Sequence, residues 1–120
     1  MLETAIAAAS GVPPTTFWYH GDLLAENVLL NEHGRLSAVL DFGGLGLGNP
    51  EVDLAIAWDL LDADGRDAFR RALEIRDAQW SVARGWALFL ALMTFPYYGS
   101  SMPDRCASRL AMAQAVLADA

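Results

Sequence analysis

The chain has 120 residues and a mass of 13.0 kDa, with 54% hydrophobic and 19% charged residues. That size and balance suit one globular domain around one core and exclude a disordered, collagen-like or repetitive chain. Fifteen acids against eight bases leave a net charge of −7, which disfavours nucleic acid and anionic membrane surfaces and favours a cationic partner.

In chain order, residues 1–9 are alanine-rich and read as a short helix, ended by Ser10-Gly11-Val12-Pro13-Pro14. Phe17-Trp18-Tyr19 is an aromatic strand candidate, followed by a polar loop from His20 to Asn27. Val28–Leu30 and Leu36–Leu40 read as two strands joined by the turn-rich Asn31-Glu32-His33-Gly34. Beyond Asp41 the glycines at 43, 44, 46 and 48 indicate a loop running to Asn49.

The remainder reads as helix. Asn49-Pro50-Glu51 is a helix start, with Asn as N-cap, Pro in the first turn and an acid near the dipole's positive end. The helix it opens, Pro50 to about Asp62, is apolar on nearly every side and is expected to be buried. A second amphipathic helix is expected from Asp64 to Glu74, with Arg66, Arg70 and Arg71 outward. A third is expected from about Asp77 to Phe95, stopping at Pro96. The last starts near Pro103 and places Cys106, Leu110, Ala113 and Leu117 on one stripe. Trp58, Trp80 and Trp86 are assigned to the core. The fold class that follows is α+β and mostly helical: a short hairpin unit on a helical body, forming a single domain over residues 1–120.

Cys106 excludes an internal disulfide and a cysteine-rich zinc site, and reads as a small apolar residue on a helix face. Met1-Leu2-Glu3-Thr4 carries no basic n-region, and the apolar stretch from Gly85 to Pro96 is too short to span a bilayer. The expected compartment is the cytoplasm.

The chemistry concentrates in His20-Gly21-Asp22-Leu23-Leu24-Ala25-Glu26-Asn27 and Asp41-Phe42-Gly43. A hairpin turning at Glu32 and His33 pairs residues whose numbers sum to about 65, which brings Asn27 opposite the stretch just before Asp41. Asp22, Asn27 and Asp41 then meet at one mouth. Oxygen donors of this kind suit magnesium, which needs only one or two protein carboxylates when water and phosphate complete its shell. Asn27 and Asp41 would hold the metal and Asp22 would act on a hydroxyl, while His20 would brace the loop. The glycine run 43–48 follows a strand and precedes a helix. Asn49 stands where a dinucleotide fingerprint needs its third glycine, so that reading fails.

An Asp followed five residues later by Asn, and then by Asp-Phe-Gly, is the order of a kinase catalytic loop. With Gly48-Asn49-Pro50-Glu51-Val52-Asp53-Leu54-Ala55, these residues resemble the aminoglycoside phosphotransferase family, relatives of choline kinase with a protein-kinase-like fold. The resemblance covers essentially the whole chain as a C-terminal lobe. It implies Asp22 as catalytic base, Asn27 and Asp41 as metal and cofactor ligands, Asp53 as support for the loop, and ATP (or another nucleoside triphosphate) with Mg²⁺ as cofactors. It also implies transfer of a γ-phosphoryl group to a hydroxyl of a small molecule, with the acidity pointing to a cationic acceptor such as an aminoglycoside or amino alcohol. Asp59, Asp62, Asp64 and Tyr97 are candidate acceptor contacts from polarity, and Tyr97 and Tyr98 could line a cleft. The family often carries His-Pro-Gly before its Asn, where this chain has Leu24-Ala25-Glu26.

A kinase of this type also needs a strand lysine on the phosphates and a glutamate paired with it. All eight bases here are arginine. The expectation is therefore a lobe that needs an N-terminal lobe in cis or trans and shows little activity alone. The alternative is a non-catalytic, pseudokinase-like interaction module, and a weaker one is a metal-dependent hydrolase.

Overall fold

A computed structural model describes residues 2–11 and 16–119. Helix α1 (Leu2–Ala9) ends in a turn at Ser10 and Gly11, while the break assigned to Val12-Pro13-Pro14 lies outside the described residues. Strands β1 (Phe17–Tyr19), β2 (Val28–Leu30), β3 (Leu36–Val39) and β4 (Gly46–Gly48) follow. Four helices complete the chain: α2 (Ile56–Leu60), α3 (Ala63–Ala72), α4 (Asp77–Tyr98) and α5 (Pro103–Ala118). The architecture is the mostly helical α+β arrangement expected, with two small antiparallel sheets, β1–β4 and β2–β3.

The β2–β3 hairpin forms as predicted, with its centre one residue nearer Gly34. Val28 faces Val39 and Leu29 faces Ala38, and a register shift then sets Leu30 opposite Leu36. The Asn31 side chain sets this turn, its Oδ1 accepting the N–H of His33 (2.9 Å) and of Arg35 (3.0 Å). The glycine-rich segment is not all loop. Gly46–Gly48 pairs with Phe17–Tyr19 because glycines leave room for the Tyr19 ring to lie across β4. A strand built from glycines has no apolar alternation by which its sequence could announce it.

The helix expected from Pro50 begins as a 3-10 segment (Pro50–Ala55) and becomes α-helical only at Ile56. Asn49 occupies the N-cap position with extended backbone, but its side chain makes no capping hydrogen bond. Ala55, Ile56, Ala57 and Trp58 are buried, as their all-round apolarity requires, although Leu60 is exposed. Ala55, Ala57, Trp58 and Trp80 pack with a small-residue face of α4 (Ala83, Ala87, Ala91) and with Met112, Ala113 and Val116 of α5. Trp58 and Trp80 stack at 4.5 Å between ring centroids. Trp86 belongs on the surface instead, 41% exposed.

Three further expectations fail for identifiable reasons. Arg66 is buried, its guanidinium donating to the Leu61 carbonyl at 2.8 Å and standing 3.7 Å from Asp119. Arg70 is folded over the Trp80 ring at 5.5 Å and paired with Asp77. Helix α4 runs through Pro96 to Tyr98, because near a C-terminus a proline forfeits one bond, and the carbonyl concerned belongs to exposed Leu92. On α5 the buried stripe is Arg109, Met112, Ala113 and Val116, with Leu110 and Leu117 exposed and Cys106 half-buried. Among the described residues no helix is long and apolar enough to cross a membrane.

Candidate active site

Strand β1 delivers His20 into a tight turn at Gly21, whose φ is +86°. The Asp53 carboxylate accepts the backbone N–H of His20 at 2.7 Å and of Gly21 at 2.9 Å, clamping the turn from the 3-10 segment. The His20 ring is engaged at both nitrogens. Nδ1 accepts the Asp22 N–H at 3.1 Å, so Nε2 carries the proton and donates to the Leu40 carbonyl at 2.7 Å. The imidazole thus ties the loop to the end of β3, one residue before Asp41, and Phe42 packs on it at 4.8 Å.

Asn27 is buried at the far end of the loop. Its Nδ2 donates to the Asp22 carbonyl at 2.8 Å and to the Asp22 Oδ2 at 3.0 Å. Both partners are acceptors, which fixes the amide's orientation and turns Oδ1 away as the atom open to a cation. The Asn27 carbonyl accepts the Leu40 N–H at 2.7 Å, so the hairpin brings Asn27 beside the Asp41 segment as its register predicts. Asp41 has φ +55°, and its Oδ1 accepts the Gly43 N–H at 3.2 Å while the residue remains exposed. The five residues singled out in sequence are therefore in one place. Asp22 and Asn27 are bonded directly, His20 and Asp53 act on the loop backbone, and Asp41 lies beside them. One exposed carboxylate and one amide oxygen are hard donors of the kind magnesium takes when phosphates supply others.

Sequence reasoning missed a second layer behind this loop. Arg109 of α5 is 2% exposed and donates to Glu26 and, at 2.7 Å, to the Asp59 Oδ1; the other Asp59 oxygen accepts the Ala25 N–H at 2.7 Å. The loop is thereby bonded to α2 and α5 through charges far apart in sequence. The signal available was Glu26, an acid where the family often has glycine. Burial pushes the Glu26 carboxyl up, but the Arg109 hydrogen bond, its own backbone amide and the Arg109 and Arg105 charges outweigh it and hold the group below its ordinary value. Burial likewise opposes the Arg109 charge, and Glu26 and Asp59 prevail, raising it. A carboxyl with a lowered folded pKa stabilises the fold above its unfolded pKa, and that contribution disappears as pH falls through the folded value. Glu26→Gln is expected to flatten the loss of stability below the ordinary glutamate range, read as thermal midpoints between pH 6 and 3. An unchanged acid limb would show that the pair contributes nothing there.

The model of the phosphotransferase enzyme family matches residues 2–87. The chain belongs to this family. It is also similar in structure to a thermostable mutant of aminoglycoside phosphotransferase APH(4)-Ia, solved in its apo form, at 21% identity and a TM-score of 0.59. That likeness covers 98% of this chain and 42% of the other, so the chain spans less than half the length of its solved neighbour. No curated protein matches it. The fold of this phosphotransferase-family chain is therefore that of part of an aminoglycoside kinase, as the motifs implied. Of the polar residues offered as acceptor contacts, Asp59 is bound to Arg109 and Ala25, Asp62 caps α3 by accepting the Gly65 N–H at 2.8 Å, and Asp64 and Tyr97 are exposed. Tyr98 lines a cavity of about 220 Å³ together with Asp22, Leu90, Thr94 and Arg105.

Proposed function

We propose that this chain is the acceptor-binding and proton-accepting lobe of a small-molecule kinase, moving the γ-phosphoryl group of ATP or another nucleoside triphosphate to a hydroxyl. The observation that carries the reading is the Asn27 amide bonded to both the backbone carbonyl and the carboxylate of Asp22. It leaves one Asp22 oxygen to face an acceptor hydroxyl and one Asn27 oxygen to face a metal. Asp22 orients the hydroxyl and takes its proton as the oxygen bonds to phosphorus and the bond to the nucleoside diphosphate breaks. His20 and Asp53 hold the loop so that this carboxylate does not have to be organised at each turnover. Magnesium held by Asn27 Oδ1 and Asp41 would neutralise charge on the phosphates. A lysine on the phosphates has to come from a second lobe, in cis or in trans, since every base of this chain is arginine.

The reading is tested with the chain joined to, or mixed with, a lysine-bearing nucleotide lobe. Asp22→Asn is expected to lower kcat by about 10²–10⁴-fold, the range of positioned proton transfer, with MgATP binding retained. Asp41→Asn is expected to abolish the thermal shift produced by MgATP. Normal turnover by Asp22→Asn overturns the base assignment. A folded chain that gives no MgATP shift in either form supports the non-catalytic interaction module instead.

A further inference from the structure

We infer that Asp59 is a positioning residue for Asn27: it caps the short turn that carries Asn27, and so aims the amide oxygen proposed to hold magnesium. The inference rests on the proposed function for the role of Asn27, and on the hydrogen bonds around the turn for the role of Asp59.

Residues Ala25–Asn27 form a single 3-10 turn, closed by the Asn27 N–H on the Leu24 carbonyl at 2.9 Å. The first N–H groups of such a turn have no partner within it, and a polar N-cap side chain normally accepts one. Here the N-cap is Leu24, which has no side-chain acceptor and is buried in the core. Asp59 does that work from 34 positions away, its Oδ2 accepting the Ala25 N–H at 2.7 Å. Arg109 Nη1 donates to its other oxygen at 2.7 Å, so the carboxylate cannot turn off the loop without breaking a second bond. The Asp59 side chain is 2% exposed, and water does not compete for either bond. Arg109 also grips Glu26. One buried guanidinium therefore holds both the capping carboxylate and the middle residue of the turn.

The consequence falls on Asn27. Its Nδ2 is committed to the Asp22 carbonyl and carboxylate, so the direction of Oδ1 depends on where the turn places the residue. Asp53 clamps the loop before Asp22, through the N–H groups of His20 and Gly21. Asp59 clamps it before Asn27. One stretch of chain, 53–59, thus holds the loop on both sides of Asp22. A group that fixes the orientation of a metal ligand from behind is typically worth about 10–100-fold in metal affinity.

The test follows the ¹⁵N-labelled 120-residue chain by NMR, with Mn²⁺ as the metal probe. Without metal, Asp59→Asn is expected to move the Asn27 Nδ2 amide signals while the core amides of Ala83, Ala87 and Val116 stay in place. Bound Mn²⁺ broadens nearby signals, and broadening of the Asn27 and Gly43 amides is expected to need at least about tenfold more metal in Asp59→Asn. Glu26→Gln is the charge-matched control. It also removes one negative charge beside the site but leaves the Asp59 bonds in place, and should lose less than about fivefold, as for one partly exposed charge. Unmoved Asn27 signals, a smaller Mn²⁺ loss in Asp59→Asn, or an equal loss in Glu26→Gln overturns the inference. Should Asp59→Asn fail to fold, Asp59→Asn with Arg109→Gln removes both charges of the pair and carries the same comparison. Collapse of both variants assigns Asp59 to folding alone and overturns the positioning role. Asp41→Asn separates these failures from failure of the proposed function. If it abolishes the broadening and Asp59→Asn does not weaken it, the metal assignment stands and the inference falls. If the wild-type loop is not broadened, or broadening survives Asp41→Asn, the metal assignment falls and takes the inference with it.

Discussion

Arg109→Met is expected to cost about 3–5 kcal/mol of stability, the range seen when one partner of a buried ion pair is removed. The Arg109 and Asp59 side chains are 3% and 2% exposed, and Asp59 would keep only the Ala25 amide for its two oxygens. Glu26, one-third exposed, can turn toward water, so most of the penalty falls on Asp59. In urea the midpoint should fall by roughly 2 M at unchanged slope, given slopes of about 1–3 kcal/mol/M for small proteins. Adding Glu26→Gln and Asp59→Asn to Arg109→Met removes the orphaned charges and should recover much of the loss, because the penalty comes from an uncompensated charge more than from a missing attraction. A single-variant loss below about 1 kcal/mol, or no recovery in the triple variant, would mean that the trio is not the structural tie its geometry implies.

That trio also marks the boundary of what could be read before the fold was seen. Local signals performed well: the aromatic strand, the hairpin, the start of α5 at Pro103 and the Asp22–Asn27–Asp41 convergence all depend on short-range spacing or on one antiparallel register. What failed was pairing across the chain. Arg66 reads as a surface charge on an amphipathic helix until Asp119, 53 positions away, arrives beside it and also accepts the Trp58 indole N–H at 3.1 Å. On α5 the buried stripe runs through Arg109, which breaks the apolar pattern, so of the four residues on the expected stripe only Ala113 is fully buried. A buried arginine contradicts the hydropathy pattern, and only its partners explain it. The cavity beside Asp22 was legible only in part, through Tyr98 as a cleft residue. Its lining comes from the loop, α4 and α5, and Tyr98 belongs to it only because α4 continues through Pro96.

Gly21→Ala should separate the architecture of the site from its stability. A methyl group at position 21 faces two obstacles. With φ at +86° the backbone is in a region that an L side chain occupies at a cost of about 1–2 kcal/mol, and the added carbon would overlap the carbonyl oxygen of Gly44. The second obstacle is the functional one. Gly21 directly precedes Asp22, and Gly44 closes the short 3-10 turn after Asp41, so the overlap drives apart the two segments that carry Asp22 and Asp41, the proposed proton acceptor and the proposed metal ligand. A displacement of about 1 Å in such a site can cost 10²-fold in rate, so turnover of the two-lobe enzyme is expected to fall at least about 100-fold. The thermal midpoint should fall by only roughly 4–10 °C. Gly34→Ala is the matched control. Its φ of +72° carries a similar backbone cost, nothing lies within 4 Å of the added carbon, and it sits at the opposite end of the hairpin from Asn27. It should lose comparable stability and keep its turnover. Equal turnover losses in the two variants would trace the effect to general loosening of the fold. A Gly21→Ala enzyme with full turnover would mean that the contact between the two loops does not position Asp22.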